Sequence, residues 1–414
     1  MALPMFAALG IGLAAASAST TLQRISLRTY DPLAVCNDGT PAAMYFRRAP
    51  GGQDGCARRW LLYLEGGGMC YDLDSCKKRA KRAKRLVSSA KKPASKHLAG
   101  LFDSDPHHSP LADANMAFVS YCTSDAYLGD SSIPSSWQAD PAAAKYFSAG
   151  FRGARVVRAA AAALTDLGLR ANDSLVFGGC SAGARGAMAH LDSVAASGTQ
   201  EADDGWIPKG VEVSGFLDSP LWVDLDPPSL NGSKPAVALR ERLRRFSEMV
   251  DISRALGERC AAETDAGERY MCLLGEHRAQ YVQTPFFVIQ NQLDSYQLSQ
   301  LGGLSTPTDL RQDLRTRISA LASAASERGH GAFSPACRLH CLSETGKFQR
   351  VSAEGVSASR AYATWLRNRE RSSGYPDDKQ QKHLWMDKCP GPVECGEGCE
   401  HLKKKNASEG ASGG

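Results

Sequence analysis

Ser181 lies in the string Phe177-Gly178-Gly179-Cys180-Ser181-Ala182-Gly183, and its last five residues fit the pattern G-x-S-x-G. A serine becomes a useful nucleophile when a sharp strand-to-helix turn lifts its hydroxyl clear of a sheet and aims free helix N–H groups at it. The flanks suit such a turn. Ser174-Leu175-Val176-Phe177 reads as a buried strand arriving at it, and Ala184 to Ala195 reads as an alanine-rich helix leaving it, with only Gly186 to weaken it. A second loop offers complementary chemistry: the apolar run Trp60-Leu61-Leu62-Tyr63-Leu64 stops at Glu65-Gly66-Gly67-Gly68-Met69-Cys70. A glycine triplet after an early strand lets the main chain approach a reacting carbonyl and donate N–H groups to an oxyanion, each donor contributing roughly 3 kcal/mol to the transition state.

A serine hydrolase of this kind needs an acid and a histidine further on, in that order. Asp294 follows the strand-like run Phe286-Phe287-Val288-Ile289-Gln290 by a few residues, just past the carboxyl end of the strand. For the base, His340 lies between Cys337 and Cys341, in a loop that cysteines could pin. His330, His383 and His401 also follow the acid, and spacing does not choose among the four.

These segments together resemble the pectin acetylesterase family, which also contains the Notum protein deacylases. The resemblance rests on Cys36-Asn37-Asp38-Gly39-Thr40-Pro41, Leu64-Glu65-Gly66-Gly67-Gly68, Gly179-Cys180-Ser181-Ala182-Gly183, Asp294-Ser295-Tyr296-Gln297 and Cys337-Arg338-Leu339-His340-Cys341, and it runs from about Leu33 to Cys399. It implies an α/β-hydrolase fold and a secreted carboxylesterase that uses neither metal nor cofactor. Carried over by position, it implies Ser181 as nucleophile, Asp294 as acid and His340 as base, with Gly67, Gly68 and Ala182 supplying oxyanion-hole amides. The chain departs from the family pattern at Met69, where tryptophan is usual, and at Ala184, where a further glycine is usual. Both positions border the expected pocket, so they bear on substrate shape rather than on the reaction.

The elements that must position these residues are legible as alternation. Ala117–Tyr121 and Val211–Val213 read as further strands, and 152–167, 236–250 and 311–327 as helices. Strand and helix in turn give a mostly parallel sheet with helices on both faces, and residues 216–280 are the place for lid or pocket-wall insertions. With 414 residues, 43% hydrophobic and 22% charged, the chain can bury a large core. We expect residues 1–18 to be a signal peptide ending in Ala16-Ser17-Ala18, 19–402 to be the esterase domain and 403–414 to be a disordered tail. No apolar stretch after residue 18 is long enough to span a bilayer.

Thirteen cysteines fit a secretory route in which most are oxidised. Cys70 and Cys76 are spaced to close a small loop beside the glycine triplet, and Cys389, Cys395 and Cys399 to pin the last segment; their spacing is poor for zinc. Of the odd thiol, the expectation is Cys180, on the view that it faces packed core. Asn172, Asn231 and Asn406 are N-x-S acceptors. Residues 77–92 hold nine basic residues and no acid within a chain of net charge +5, so the rest of the chain is net negative. That run reads either as a solvated surface or as a patch for a polyanion such as acidic polysaccharide; no fold motif supports nucleic-acid binding. Three functions follow: deacetylation of a pectin-like polysaccharide, removal of a fatty acyl group from a protein, and an inactive secreted binding protein.

Overall fold

The computed structural model describes residues 21–50, 58–198, 205–225, 237–300, 307–372, 382–389 and 394–399. The expected signal peptide and tail, and the acceptors Asn231 and Asn406, lie outside these residues. A ten-stranded sheet forms the centre. Its strands are β1 (Thr21–Ser26), β2 (Ala43–Arg47), β3 (Arg59–Leu64), β4 (Ser95–His97), β5 (Asn115–Ser120), β6 (Ser174–Cys180), β7 (Glu212–Asp218), β8 (Phe286–Ile289), β9 (Gly331–Ser334) and β12 (Leu384–Met386); β10 (Ser352–Ala353) and β11 (Val356–Ser357) form a separate small pair. The order is β12-β9-β8-β7-β6-β3-β5-β2-β1-β4, parallel from β12 to β5 and antiparallel beyond.

The strands are continuous apolar runs because both faces of the sheet are covered. Alternate side chains divide cleanly. Leu62, Leu64, Ala117, Val119, Leu175 and Phe177 join one core layer, and Leu61, Tyr63, Met116, Phe118, Val176 and Phe216 join the other. On the first face lie α3 (Gly153–Asp166) and α4 (Ala182–Ser197), while the second carries the helix Ala358–Ser372, whose Tyr362 and Trp365 are fully buried. Each such buried side chain contributes roughly 1.5–3 kcal/mol, so the sheet centre is the rigid part of the molecule.

Parallel register decides where function can sit. Leu64 lies opposite Gly179, Cys180 opposite Asp218, and Asp218 opposite Ile289. The carboxyl ends of β3, β6, β7 and β8 are therefore flush, and the loops leaving them share one edge, where ligands bind in open α/β sheets. Two helices begin near that edge: α1 (Leu73–Arg82), started by a reciprocal Asp72–Ser75 capping box, and α2 (Pro141–Tyr146), capped by Asp140. Residues 216–280, expected as insertion, contain α5 (Leu239–Met249) and short helices stapled by Cys260–Cys272.

Candidate active site

The turn between β6 and α4 is strained at its centre. Ser181 takes φ 55° and ψ −118°, a conformation rarely adopted by a residue with a side chain. Its N–H donates to the Asp218 carbonyl at 2.8 Å. The small neighbours are obligatory, because a Cβ on Gly183 would collide with the Leu64 carbonyl oxygen and one on Gly66 would lie 3.2 Å from the Ser181 Cβ. Elbow and glycine loop are thus in contact.

Asp294 is fully buried at the start of the helix Ser295–Gln300. Its carboxylate accepts from the Gln297 N–H at 3.0 Å, from Gln290 Nε2 at 3.2 Å and from His340 Nδ1 at 2.8 and 3.0 Å. A carboxylate only accepts, so Nδ1 carries the imidazole proton and Nε2 keeps its lone pair. Burial alone would push the His340 pKa down; the charge and hydrogen bond of Asp294, with the charge of Asp218, overcome this and hold it above the ordinary 6.5. The competing histidines sit elsewhere. His330 stacks on Phe286 at 4.0 Å, with burial pushing its pKa to about 4, and His383 is lowered by burial too; His401 lies outside the described residues.

The loop carrying His340 is tied to the elbow. Cys180, immediately before Ser181, forms a disulfide with Cys341, immediately after His340. Asp218 adds a second tie: its Oδ2 accepts from the Leu342 and Ser343 N–H groups at 2.7 and 2.8 Å and from Ser343 Oγ at 2.6 Å, while its backbone holds Ser181. Ser219 Oγ accepts from the Cys341 N–H at 3.1 Å. The expectation that Cys180 is the free thiol is therefore wrong. Cys180 ends its strand at the site edge, where the His340 loop arrives. Six disulfides use twelve of the thirteen cysteines; the other, Cys56, lies outside the described residues. Cys70–Cys76 closes its small loop, and Cys389, Cys395 and Cys399 are all paired.

The glycine loop is held from its carbonyl side. Tyr121 Oη donates to the Gly68 carbonyl at 2.8 Å, and Arg79 Nη2 does so at 3.3 Å. Glu65 anchors the start: its carboxylate accepts from the Tyr121 N–H at 2.8 Å and pairs with Lys96 at 3.3 Å and Lys92 at 3.6 Å. Burial would raise the Glu65 pKa, but Lys92 and Lys96 bring it below its ordinary value. Among the described residues, the N–H groups of Gly67, Gly68 and Ala182 donate to no protein acceptor. The basic run divides accordingly. Arg79 and Lys92 turn inward to this loop and Lys77 pairs with Asp140 at 2.8 Å, whereas Lys78, Lys81, Arg82, Lys84, Arg85 and Lys91 are exposed.

Beside His340 a small, mostly apolar pocket of about 40 Å³ opens between Trp222, Val223, Leu225, Leu239, Arg242 and Tyr296. The Tyr296 ring stands 5.2 Å from the His340 ring and 5.8 Å from that of Trp222. The residues unread in the sequence are Asp218, Ser219 and Arg242, and Tyr296 is read only as part of the Asp294-Ser295-Tyr296-Gln297 motif.

A parallel sheet with a strained serine at the end of a central strand defines the α/β-hydrolase class. Residues 15–400 match the pectinacetylesterase family, and the chain belongs to it. It is 29% identical over 379 residues to the palmitoleoyl-protein carboxylesterase NOTUM of Homo sapiens, covering 89% of this chain and 71% of that protein. To the Drosophila melanogaster protein of the same name it is 26% identical over 341 residues, 80% of this chain and 46% of that protein. The solved structure of the Wnt deacylase Notum from Drosophila shares the fold, with a TM-score of 0.72 at 24% identity over 89% of this chain and 97% of that one. Family and relatives make the protein a carboxylic ester hydrolase. No helix among the described residues is long and apolar enough to cross a membrane.

Proposed function

We propose that the protein is a secreted serine esterase that removes acetyl groups from a pectin-like polysaccharide. The observation that carries this is the His340–Asp294 pair, fastened to the Ser181 elbow by Cys180–Cys341. His340 Nε2 takes the proton of the Ser181 hydroxyl as its oxygen attacks the ester carbonyl, and Asp294 stabilises the resulting imidazolium. The oxyanion accepts hydrogen bonds from the Gly67, Gly68 and Ala182 amides. The tetrahedral intermediate collapses, His340 returns the proton to the departing alcohol, and an acyl-serine remains; water, deprotonated by the same imidazole, releases the acid. Six disulfides support an oxidising, extracellular setting. The exposed cations from Lys78 to Lys91 support attraction of a polyanionic substrate.

The acetyl reading draws support from Arg242 in the pocket lining: packing a long alkyl chain against a guanidinium that, among the described residues, pairs with no carboxylate is costly. The apolar lining from Val223, Leu225 and Leu239 favours a second reading, a deacylase for fatty-acylated protein. The two separate on direct comparison. We expect acetate release from O-acetylated pectin and no turnover of a palmitoleoylated peptide; the reverse preference would replace the first reading by the second.

A further inference from the structure

The ladder between β7 and β8 ends where the Ser219 N–H donates to the Ile289 carbonyl at 2.7 Å, and Ser219 takes φ 58°, the left-handed region. Leu221, Trp222 and Val223 follow, buried but outside any strand. Buried backbone groups must still find partners. Two glutamine side chains supply them. Gln290, the residue after β8, accepts from the Leu221 N–H at 3.0 Å through Oε1. Gln297 accepts from the Val223 N–H at 2.7 Å through Oε1 and donates from Nε2 to the Leu221 carbonyl at 2.8 Å. Both side chains are buried.

Both residues also reach the acid of the triad. Gln290 Nε2 donates to Asp294 Oδ2 at 3.2 Å, and the Gln297 backbone N–H donates to Asp294 Oδ1 at 3.0 Å. A main-chain N–H on Oε1 and a carboxylate on Nε2 fix which way the Gln290 amide points. His340 Nδ1 lies against the same two oxygens, 2.8 Å from Oδ2 and 3.0 Å from Oδ1. Each carboxylate oxygen thus has one contact to the imidazole and one to a glutamine. The stitched segment is at the same time a wall of the pocket beside His340, which Trp222, Val223 and Gln297 line. Trp222 is packed as well, with the Arg185 guanidinium 4.4 Å over its ring and the Tyr296 ring 5.8 Å away.

We propose that Gln290 and Gln297 are positioning residues that join the pocket wall and the Asp294 carboxylate into one hydrogen-bonded unit. Gln290 sets how squarely Asp294 holds the His340 imidazole, and Gln297 sets where the wall stands. The division follows from what each side chain holds: the Gln290 amide grips the carboxylate itself, whereas the Gln297 amide grips only the wall and leaves Asp294 to its backbone N–H. The titratable groups facing His340 are Asp294, Asp218 and Tyr296, and Arg79, Arg185 and Arg242 act on Tyr296 in turn. Gln290 adds no charge to this set, so it acts on the imidazole through the geometry of Asp294. The inference rests on the esterase reading above and adds the residues that orient its acid.

The test follows kcat and KM for p-nitrophenyl acetate across pH in the unmodified protein, Gln290→Met, Gln290→Glu and Gln297→Met. Gln290→Met should lower kcat by about tenfold with KM within about twofold, a part of the roughly 10²-fold that a misplacement of about 1 Å costs. Its rising limb of kcat/KM should move to lower pH, because an Asp294 held less squarely supports the imidazolium less. Gln290→Glu keeps an acceptor for the Leu221 N–H and places negative charge beside the pair, so its limb should move to higher pH. Should Gln290→Met impair folding, that second variant still decides. Gln297→Met should raise KM by about tenfold with kcat within about twofold, the signature of lost binding rather than lost chemistry, and leave the limb in place. A limb unmoved in both Gln290 variants, or an unchanged KM in Gln297→Met, would overturn the inference while hydrolysis by the unmodified protein left the esterase reading intact. Absence of p-nitrophenyl acetate hydrolysis in the unmodified protein would overturn the esterase reading and this inference with it.

Discussion

His340→Ala should lower kcat/KM for an acetyl ester by about 10⁵-fold, because the serine then has no base to take its proton and no acid to protonate the leaving alcohol. His330→Ala should leave turnover in place and lower only the unfolding midpoint, since that ring is spent on Phe286. Asp294→Asn should cost about 10⁴-fold by favouring the wrong tautomer. The pH profile carries a sign. The His340 pKa stands above 6.5, and the neutral imidazole is the working form, so kcat/KM should climb with pH through an apparent value above 6.5. Removing the Asp294 charge should move that limb to lower pH. Stability runs the other way: the raised pKa makes the His340–Asp294 pairing fully stabilising below the unfolded value near 6.5, and that contribution fades as pH rises through the folded value. Turnover by His340→Ala with inactive His330→Ala would reassign the base.

The second large effect concerns the disulfide that joins the two reacting loops. Replacing both Cys180 and Cys341 by alanine should lower kcat by about 10²-fold, the scale expected when a base is displaced by about 1 Å from its nucleophile. The bond closes a segment of 161 residues, so its loss should also destabilise the fold by up to about 5 kcal/mol in the chain-entropy account. The matching change at Cys260 and Cys272, which close only 12 residues in the insertion, separates the two effects: stability should fall less and kcat should hold. Thermal unfolding beside initial rates reads both. An unchanged kcat in the Cys180/Cys341 variant would mean that Asp218 and Ser219 alone hold the His340 loop.

Much of this architecture is legible in the chain, and the reasons are local. β3, β6 and β8 are uninterrupted apolar runs ended by glycines or polar turns, as strands buried on both faces must be. The antiparallel edge is not legible: β1 has only two apolar residues, Leu22 and Ile25, at a spacing that breaks strand alternation, and β4 has only three residues. β7 is readable only at Val211–Val213, because Gly215 breaks the run that continues to Asp218. Ser181, Gly67 and Gly68 announce themselves because strained turns and close approach demand particular residues. His340 does not, since its partner lies 46 residues away and only folding brings the two together. Cys180 misleads for the same reason: its partner is Cys341, 161 residues away in the loop that follows β9. Asp218 is a lone acid ending a strand, and Arg185 in an alanine-rich helix resembles a solvated position until Trp222 is seen over it.

The central claim is that Ser181 is the nucleophile of a short-acyl esterase, and one comparison tests it most directly: hydrolysis of p-nitrophenyl esters from acetate to decanoate by the protein and its Ser181→Ala variant. We expect turnover to peak at acetate and to vanish in the variant, with an unchanged unfolding midpoint. Activity that survives in Ser181→Ala, or that peaks at the long chains, would contradict the account.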